Sequence, residues 1–226
     1  MPAPPPQTTP ARRRILVVDD HAVLREGLTT QINREADLVV CGEAVDAGEA
    51  VDAVGRLNPD LVLVDINLPG RNGLELIRDI AALRPGLPVL VLSMHDESLF
   101  AERVLRAGGR GYVSKQASSE TLLTAIRRVL VGQIHLSDEV STRLLGSLGG
   151  KQQRAGPISP VELLTDRELE VFALIGQAVE TKMISRRLSM SGKTVEAHRA
   201  SIKRKLRLKT GPELTRHAVL WVEAIG

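Results

Sequence analysis

Five short aliphatic runs constrain this chain more than anything else in it: RILVVD, LVVCGEA, DLVLVDI, PVLVLSM and GRGYVSK, all within its first 115 residues. Each is four to eight residues long, rich in Val, Ile and Leu, and continuous rather than alternating. That is the pattern of a strand buried on both faces. Between the runs, apolar residues recur at helical spacing near 22–33, 47–57, 73–83, 97–107 and 119–131. Asp46 with Glu49 three residues on predicts a capping box at the start of the second of these. Five β/α repeats in about 115 residues predict a five-stranded, parallel, doubly wound α/β sheet with helices on both faces. Functional groups in such sheets collect at the carboxyl edge, where the strands end.

The rhythm stops after residue 131. The stretch SDEVSTRLLGSLGGKQQRAGPISP, with its Gly-Gly and Gly-Pro steps, reads as a flexible joint with one short helix near 138–147. Beyond it every pattern is helical. Thr165 and Glu168 form a second capping box, a short helix follows near 181–188, a longer one runs from Ser191 to about Leu206, and Pro212 opens a last amphipathic helix. The organisation expected is a Pro-rich disordered leader over 1–11, an α/β domain over 12–131, a linker over 132–159 and a four-helix all-α domain over 160–226.

Composition excludes several classes. No run of 18 apolar residues is present, so no membrane helix is expected. MPAPPPQTTPARRR has no apolar core after its arginines and does not read as a signal peptide. The single Cys41 cannot close an intramolecular disulfide, which fits a reducing, cytoplasmic setting. Charge is uneven. Residues 1–137 carry 15 Lys/Arg and 17 Asp/Glu, whereas 158–226 carry 12 and 8. Seven of those basic residues crowd into 193–209, a density that points to a polyanion.

The strand ends carry the chemistry. Asp19 and Asp20 close the first run, Asp65 the third, Ser93 the fourth and Lys115 the fifth. Taken singly, each is an ordinary cap or turn residue. Together, at equivalent positions, they form a set. Adjacent carboxylates repel unless a cation sits between them, and a hard divalent ion such as Mg2+ prefers this all-oxygen environment. The set permits phosphoryl transfer to the Asp65 carboxylate, with Lys115 and the Ser93 hydroxyl taking up charge on the phosphoryl oxygens.

ILVVDDH, LVLVDINLPGRNGLEL, VLVLSMHDE and GGRGYVSK resemble the receiver domain of bacterial response regulators, over about residues 12–131. The resemblance implies Asp65 as phosphoacceptor. It also implies Asp19, Asp20, Asp65 and the backbone carbonyl of Asn67 as Mg2+ ligands, Ser93 and Tyr112 as a coupled switch pair, and a sensor histidine kinase as phosphoryl donor. Asn67 and His95, two residues beyond Asp65 and Ser93, resemble the positions that tune acyl-phosphate lifetime. Gln116 follows Lys115 where some receivers have proline.

In the all-α part, Val195, Ile202 and Leu206 share one side of a helix, and Lys193, Glu196, Ala197, Ala200 and Arg204 turn toward the other. This is a helix-turn-helix pattern with a slim, basic reader. LTDRELEVFALIGQ followed by SGKTVEAHRASIKRKL is similar to the NarL/LuxR-type DNA-binding domain. Lys193, Glu196, Ala197 and Ala200 are expected near base edges; Thr194, Arg199, Lys203 and Lys205 near phosphates. Glu196 can accept from cytosine N4 or pair within its own helix. The last helix, with Trp221, resembles the family's dimerisation helix, so a homodimer on phosphorylation or on promoter DNA is expected. An Asp-nucleophile phosphohydrolase would need a second acid close behind Asp65, where Ile66 and Asn67 stand. A small-molecule-sensing relative would need more than the four aromatic residues present. The reading is a transcription-regulating response regulator rather than an enzyme.

Overall fold

The computed structural model describes residues 11–149 and 160–225. The leader expected at 1–11 falls almost wholly outside them, as does the later part of the joint.

Strands β1 (Arg13–Val18), β2 (Leu38–Ala44), β3 (Leu61–Val64), β4 (Val89–Ser93) and β5 (Gly111–Ser114) form one parallel sheet in the order β2-β1-β3-β4-β5. Helices α1 (Ala22–Asn33), α2 (Ala47–Leu57), α3 (Gly73–Leu83), α4 (Glu97–Ala107) and α5 (Ser119–Leu130) alternate with them. Successive side chains of a strand face opposite ways. Leu16, Val18, Val62 and Val64 therefore pack in one apolar cluster, and Ile15, Val17, Leu61 and Leu63 in another. A sheet buried on both faces needs continuous aliphatic strands, which is why the runs do not alternate with polar residues.

Helix starts follow the local chemistry. The Asp46 side chain accepts from Glu49 N, while the Glu49 carboxylate takes the backbone N–H of Val45. Asp96 caps α4, Ser118 caps α5, and Gly108 ends α4 in a left-handed turn at φ 102°.

Residues 132–149 pack on this domain. His135 N donates to Arg110 O and His135 O accepts from Tyr112 N, which extends the sheet edge. Helix α6 (Asp138–Gly149) lies against α4, with Val140 buried and Ser137 N on the Glu97 carboxylate.

The second domain holds a 3-10 turn (Pro160–Leu163) and helices α7 (Asp166–Gly176), α8 (Thr181–Arg187), α9 (Gly192–Lys205) and α10 (Gly211–Ile225). Thr165 and Glu168 close the full reciprocal capping box. Burial raises the Glu168 carboxyl, but bonds from Lys205, Ser201 and Thr165 outweigh it and hold it at about 2. Ser191 caps α9 by accepting from Thr194 N. Helices α7 and α10 cross closely at Gly176, where a Cβ would lie 2.5 Å from Ala218 O and 2.6 Å from a Val222 methyl. The two domains touch at the start of α7, where Asp166 receives Arg78 at 2.8 Å and Arg103 at 2.9 Å.

The α7–α10 crossing has no room for a methyl. Gly176→Ala is expected to destabilise the second domain by about 1–3 kcal/mol, read as an earlier urea midpoint for that domain while the α/β domain is unmoved.

Candidate functional site

The strand register builds the site. Val18 pairs with Val64, and Asp65 N donates to Val18 O at 2.9 Å. Asp19 and Asp65 therefore leave the sheet side by side. One strand over, Ser93 pairs with Ser114, and Lys115 N donates to Ser93 O. Acids and lysine arrive at one edge because the two pairs of neighbouring strands end in register.

Asp19, Asp65 and Ser93 are buried, and Asp20 is half-buried. Lys115 Nζ lies 2.7 Å from Asp19 Oδ2 and 2.6 Å from Asp65 Oδ2. The contact to Asp65 is a hydrogen bond; the contact to Asp19 is close but not aligned as one. His21, exposed, places Nδ1 3.1 Å from Asp19 Oδ1 and 2.8 Å from Asp20 Oδ1. Ligand atoms of Asp19, Asp20, His21 and Asp65 all fall within 4.8 Å of one another. His21 was not singled out from the sequence, although it directly follows the acid pair.

Two buried carboxylates, Asp19 and Asp65, face one lysine. Burial raises the Asp65 carboxyl, Lys115 opposes this, and Asp19 adds to it. Burial alone would depress Lys115, but Asp65 and Asp19 overcome it and hold the ammonium above its ordinary value. Asp19 Oδ2 and Asp20 Oδ1 are buried without an aligned hydrogen-bond donor. Hard oxygen ligands with unspent lone pairs suit a divalent cation of the Mg2+ class.

Asn67 N donates to Asp65 Oδ1 at 3.1 Å, and its side-chain Oδ1 lies 3.0 Å from His95 Nε2. The expected pair of positions is thus in direct contact. His95 stacks on Phe100, and burial lowers its imidazole to about 4, so the ring is neutral at ordinary pH. Ser93 Oγ accepts from His95 N. Tyr112 is turned inward and buried, and its hydroxyl donates to His95 O at 2.8 Å. Burial also raises the phenol, so it stays protonated and keeps its hydrogen to donate. Gly73 lets α3 begin against the site: a Cβ there would sit 2.3 Å from Asp65 O. No cis peptide bond occurs among the described residues.

The reader side of the second domain is open. Lys193, Thr194, Glu196, Ala197 and Ala200 are exposed, Arg199 and Lys203 are half-buried, and Val195 and Ile202 anchor the opposite side. Glu196 pairs within its helix with Arg199 at 3.5 Å and accepts from Thr181 at 3.3 Å. Lys205 departs from the phosphate-facing set: its Nζ lies 2.6 Å from Glu168 and is held inside the domain.

Residues 15–127 match the response regulator receiver domain family, and residues 162–218 match the bacterial regulatory proteins of the luxR family. The oxygen regulatory protein NreC of Staphylococcus aureus (strain JH9) is 37% identical over 209 residues, 91% of this chain and 96% of that protein. A two-component response regulator of the LuxR family from Aurantimonas sp. SI85-9A1 superimposes with a TM-score of 0.57 at 34% identity, over 62% of this chain and all of that one. The response regulator ChrA of a heme-sensing two-component system does so with a TM-score of 0.50 at 27% identity, over 93% and 98% of the two chains.

Among the described residues Lys115 is the one ammonium paired with both buried acids. Lys115→Ala is expected to cost on the order of 3 kcal/mol of stability at pH 7. A carboxyl raised in the folded state adds a penalty that grows as pH climbs from its unfolded value to its folded one. The loss, measured by urea titration, should therefore be smaller at pH 5 than at pH 8.

Proposed function

The chain belongs to the response regulators that join a receiver domain to a LuxR-type DNA-binding domain, and from that premise we propose that Asp65 is its phosphoacceptor. The observation that carries this is the acidic nest in which Lys115 bridges Asp19 and Asp65 at the carboxyl edge of the sheet.

A sensor histidine kinase supplies the phosphoryl group. An Asp65 carboxylate oxygen attacks phosphorus, a P–O bond forms, and the bond from phosphorus to the donor nitrogen breaks. Lys115, already 2.6 Å from Asp65 Oδ2, neutralises charge gathering on the phosphoryl oxygens. Asp19, Asp20, Asp65 and the Asn67 carbonyl are the residues that would hold Mg2+. That ion would relieve the repulsion among the acids and stabilise the negative charge of the transferred group. The Ser93 hydroxyl and Tyr112 form the switch pair, with Tyr112 in its inward position. The Asn67–His95 contact sits where it can set the access of water to the acyl phosphate. The chain acts once per phosphoryl group received rather than turning over a substrate.

Lys193, Glu196, Ala197 and Ala200 read base edges of promoter DNA, and Thr194, Arg199 and Lys203 contact phosphates. Lys205 contributes by bracing α9 against α7 through Glu168. Pairing of two copies, through α10 among other surfaces, matches paired half-sites. Among the described residues no helix is long and apolar enough to cross a membrane, and the protein works in the cytoplasm.

Acetyl phosphate with Mg2+ should add one phosphoryl group to the wild type and none to Asp65→Asn, read by intact mass. An Asp65→Asn protein that gains the group as readily removes the assignment. Binding to a mixed-sequence duplex should weaken steeply with salt. Lys203→Ala should flatten the log K against log salt slope by about one, while Lys205→Ala lowers domain stability instead.

A further inference from the structure

His21 stands beside the acidic nest and does little for the helix it opens. It is the N-cap residue of α1, a position where Ser, Thr, Asp or Asn normally turns an oxygen to the helix. Its side chain makes no bond to α1. The ring is turned back onto the two acids that precede it. The backbone N–H of His21 donates to Asp19 Oδ1 at 2.8 Å. Its Nδ1 lies 3.1 Å from that same oxygen and 2.8 Å from Asp20 Oδ1. One ring nitrogen therefore faces an oxygen of each adjacent carboxylate.

The spacing is that of a coordination shell. Ligand atoms about 2.1 Å from one ion stand about 3 Å apart at right angles and about 4.2 Å apart when opposed. One ligand atom each from Asp19, Asp20, His21 and Asp65 falls within 4.8 Å of all the others. Asp19, 1% exposed, also keeps Oδ2 without an aligned donor. Where no ion is held, an Nδ1–H serves both acids. The Nε2–H tautomer aims a lone pair at the same point.

An imidazole nitrogen changes which ions such a nest holds best. Mg2+ takes hard oxygens and keeps several of its waters. Co2+, Ni2+ and Zn2+ accept imidazole readily. The carboxylates supply charge, which any divalent ion answers; a ring nitrogen supplies discrimination among ions.

We propose that His21 is a further ligand of the acidic nest, through Nδ1, and that it gives the unphosphorylated site a preference for nitrogen-accepting ions such as Co2+, Ni2+ and Zn2+ over Mg2+. The inference rests on the acids forming a divalent-cation site. It adds a side chain to that site and a selectivity that the acids alone do not carry.

His21→Gln separates ligation from a merely structural contact. The glutamine amide still offers an N–H to the acids, the backbone bond to Asp19 is untouched, and α1 loses no side-chain cap. Only the imidazole is removed. The full-length wild type and His21→Gln are titrated by calorimetry with Co2+ and, separately, with Mg2+. Displacement of Co2+ by excess Mg2+ tests whether the two ions share one site. Proton NMR of the Co2+-loaded protein reports the ligand directly, because a coordinated imidazole gives a strongly shifted N–H signal that vanishes in D2O.

The wild type is expected to show that signal and His21→Gln to lack it. Co2+ affinity should fall by about tenfold or more in the variant, while Mg2+ affinity stays within about twofold. An unchanged Co2+ affinity and signal in His21→Gln overturns the proposal. So does an equal loss for both ions, which would mean that the ring only shapes the acids. Co2+ that Mg2+ does not displace, with Mg2+ bound, lies elsewhere and also overturns it. Co2+ that binds through His21 while Mg2+ does not bind at all upholds the ligand and removes Mg2+ from the preceding reading. If neither ion binds, both fail.

Discussion

Lys115 carries the arrangement on which the first domain depends. One buried ammonium reaches two buried carboxylates across two strand positions. Without it Asp19 and Asp65 would be unpaired charges in a low-dielectric edge, where an uncompensated charge costs several kcal/mol. The lysine can reach both because β1, β3, β4 and β5 end in register. The register in turn is specified by which aliphatic side chains face which layer of helices. A one-residue slip of β3 would send Asp65 to the wrong side and carry Leu61 and Leu63 into the opposite apolar cluster. Packing of the core and placement of the charges are therefore one requirement.

Much of this was legible in the residues. The five aliphatic runs marked the strands, and the helical spacing marked α1 through α5 within about a residue, because buried parallel strands and amphipathic helices leave opposite periodicities. The capping boxes were readable too, since they are local. Thr165 and Glu168 close theirs in full, while Glu49 reaches Val45 rather than its own cap residue. The strand-end residues Asp19, Asp65, Ser93 and Lys115 came together as the pattern required.

What the residues did not disclose depends on long-range contact. Nothing local in KRKLRL says that Lys205 turns inward to Glu168 while Lys193 stays in solvent. Periodicity puts a residue on a face but does not say which acid lies beneath it. The stretch after residue 131 shows the same limit. Its Gly-rich composition reads as a joint, yet His135 extends the sheet and α6 packs on α4. Backbone pairing to a sheet edge leaves little trace in side-chain chemistry. Asn72 Nδ2 donates to Glu170 Oε1 from 98 positions away, and each taken alone is an ordinary residue near a helix start.

The exposed reader side of α9 has its own consequence. With the domains docked, Lys193, Thr194 and Ala197 still meet solvent, so docking subtracts nothing from the long-range pull between this surface and a nucleic-acid backbone. What docking sets is the direction in which that surface faces, because Arg78 and Arg103 hold the start of α7 against the α/β domain through Asp166.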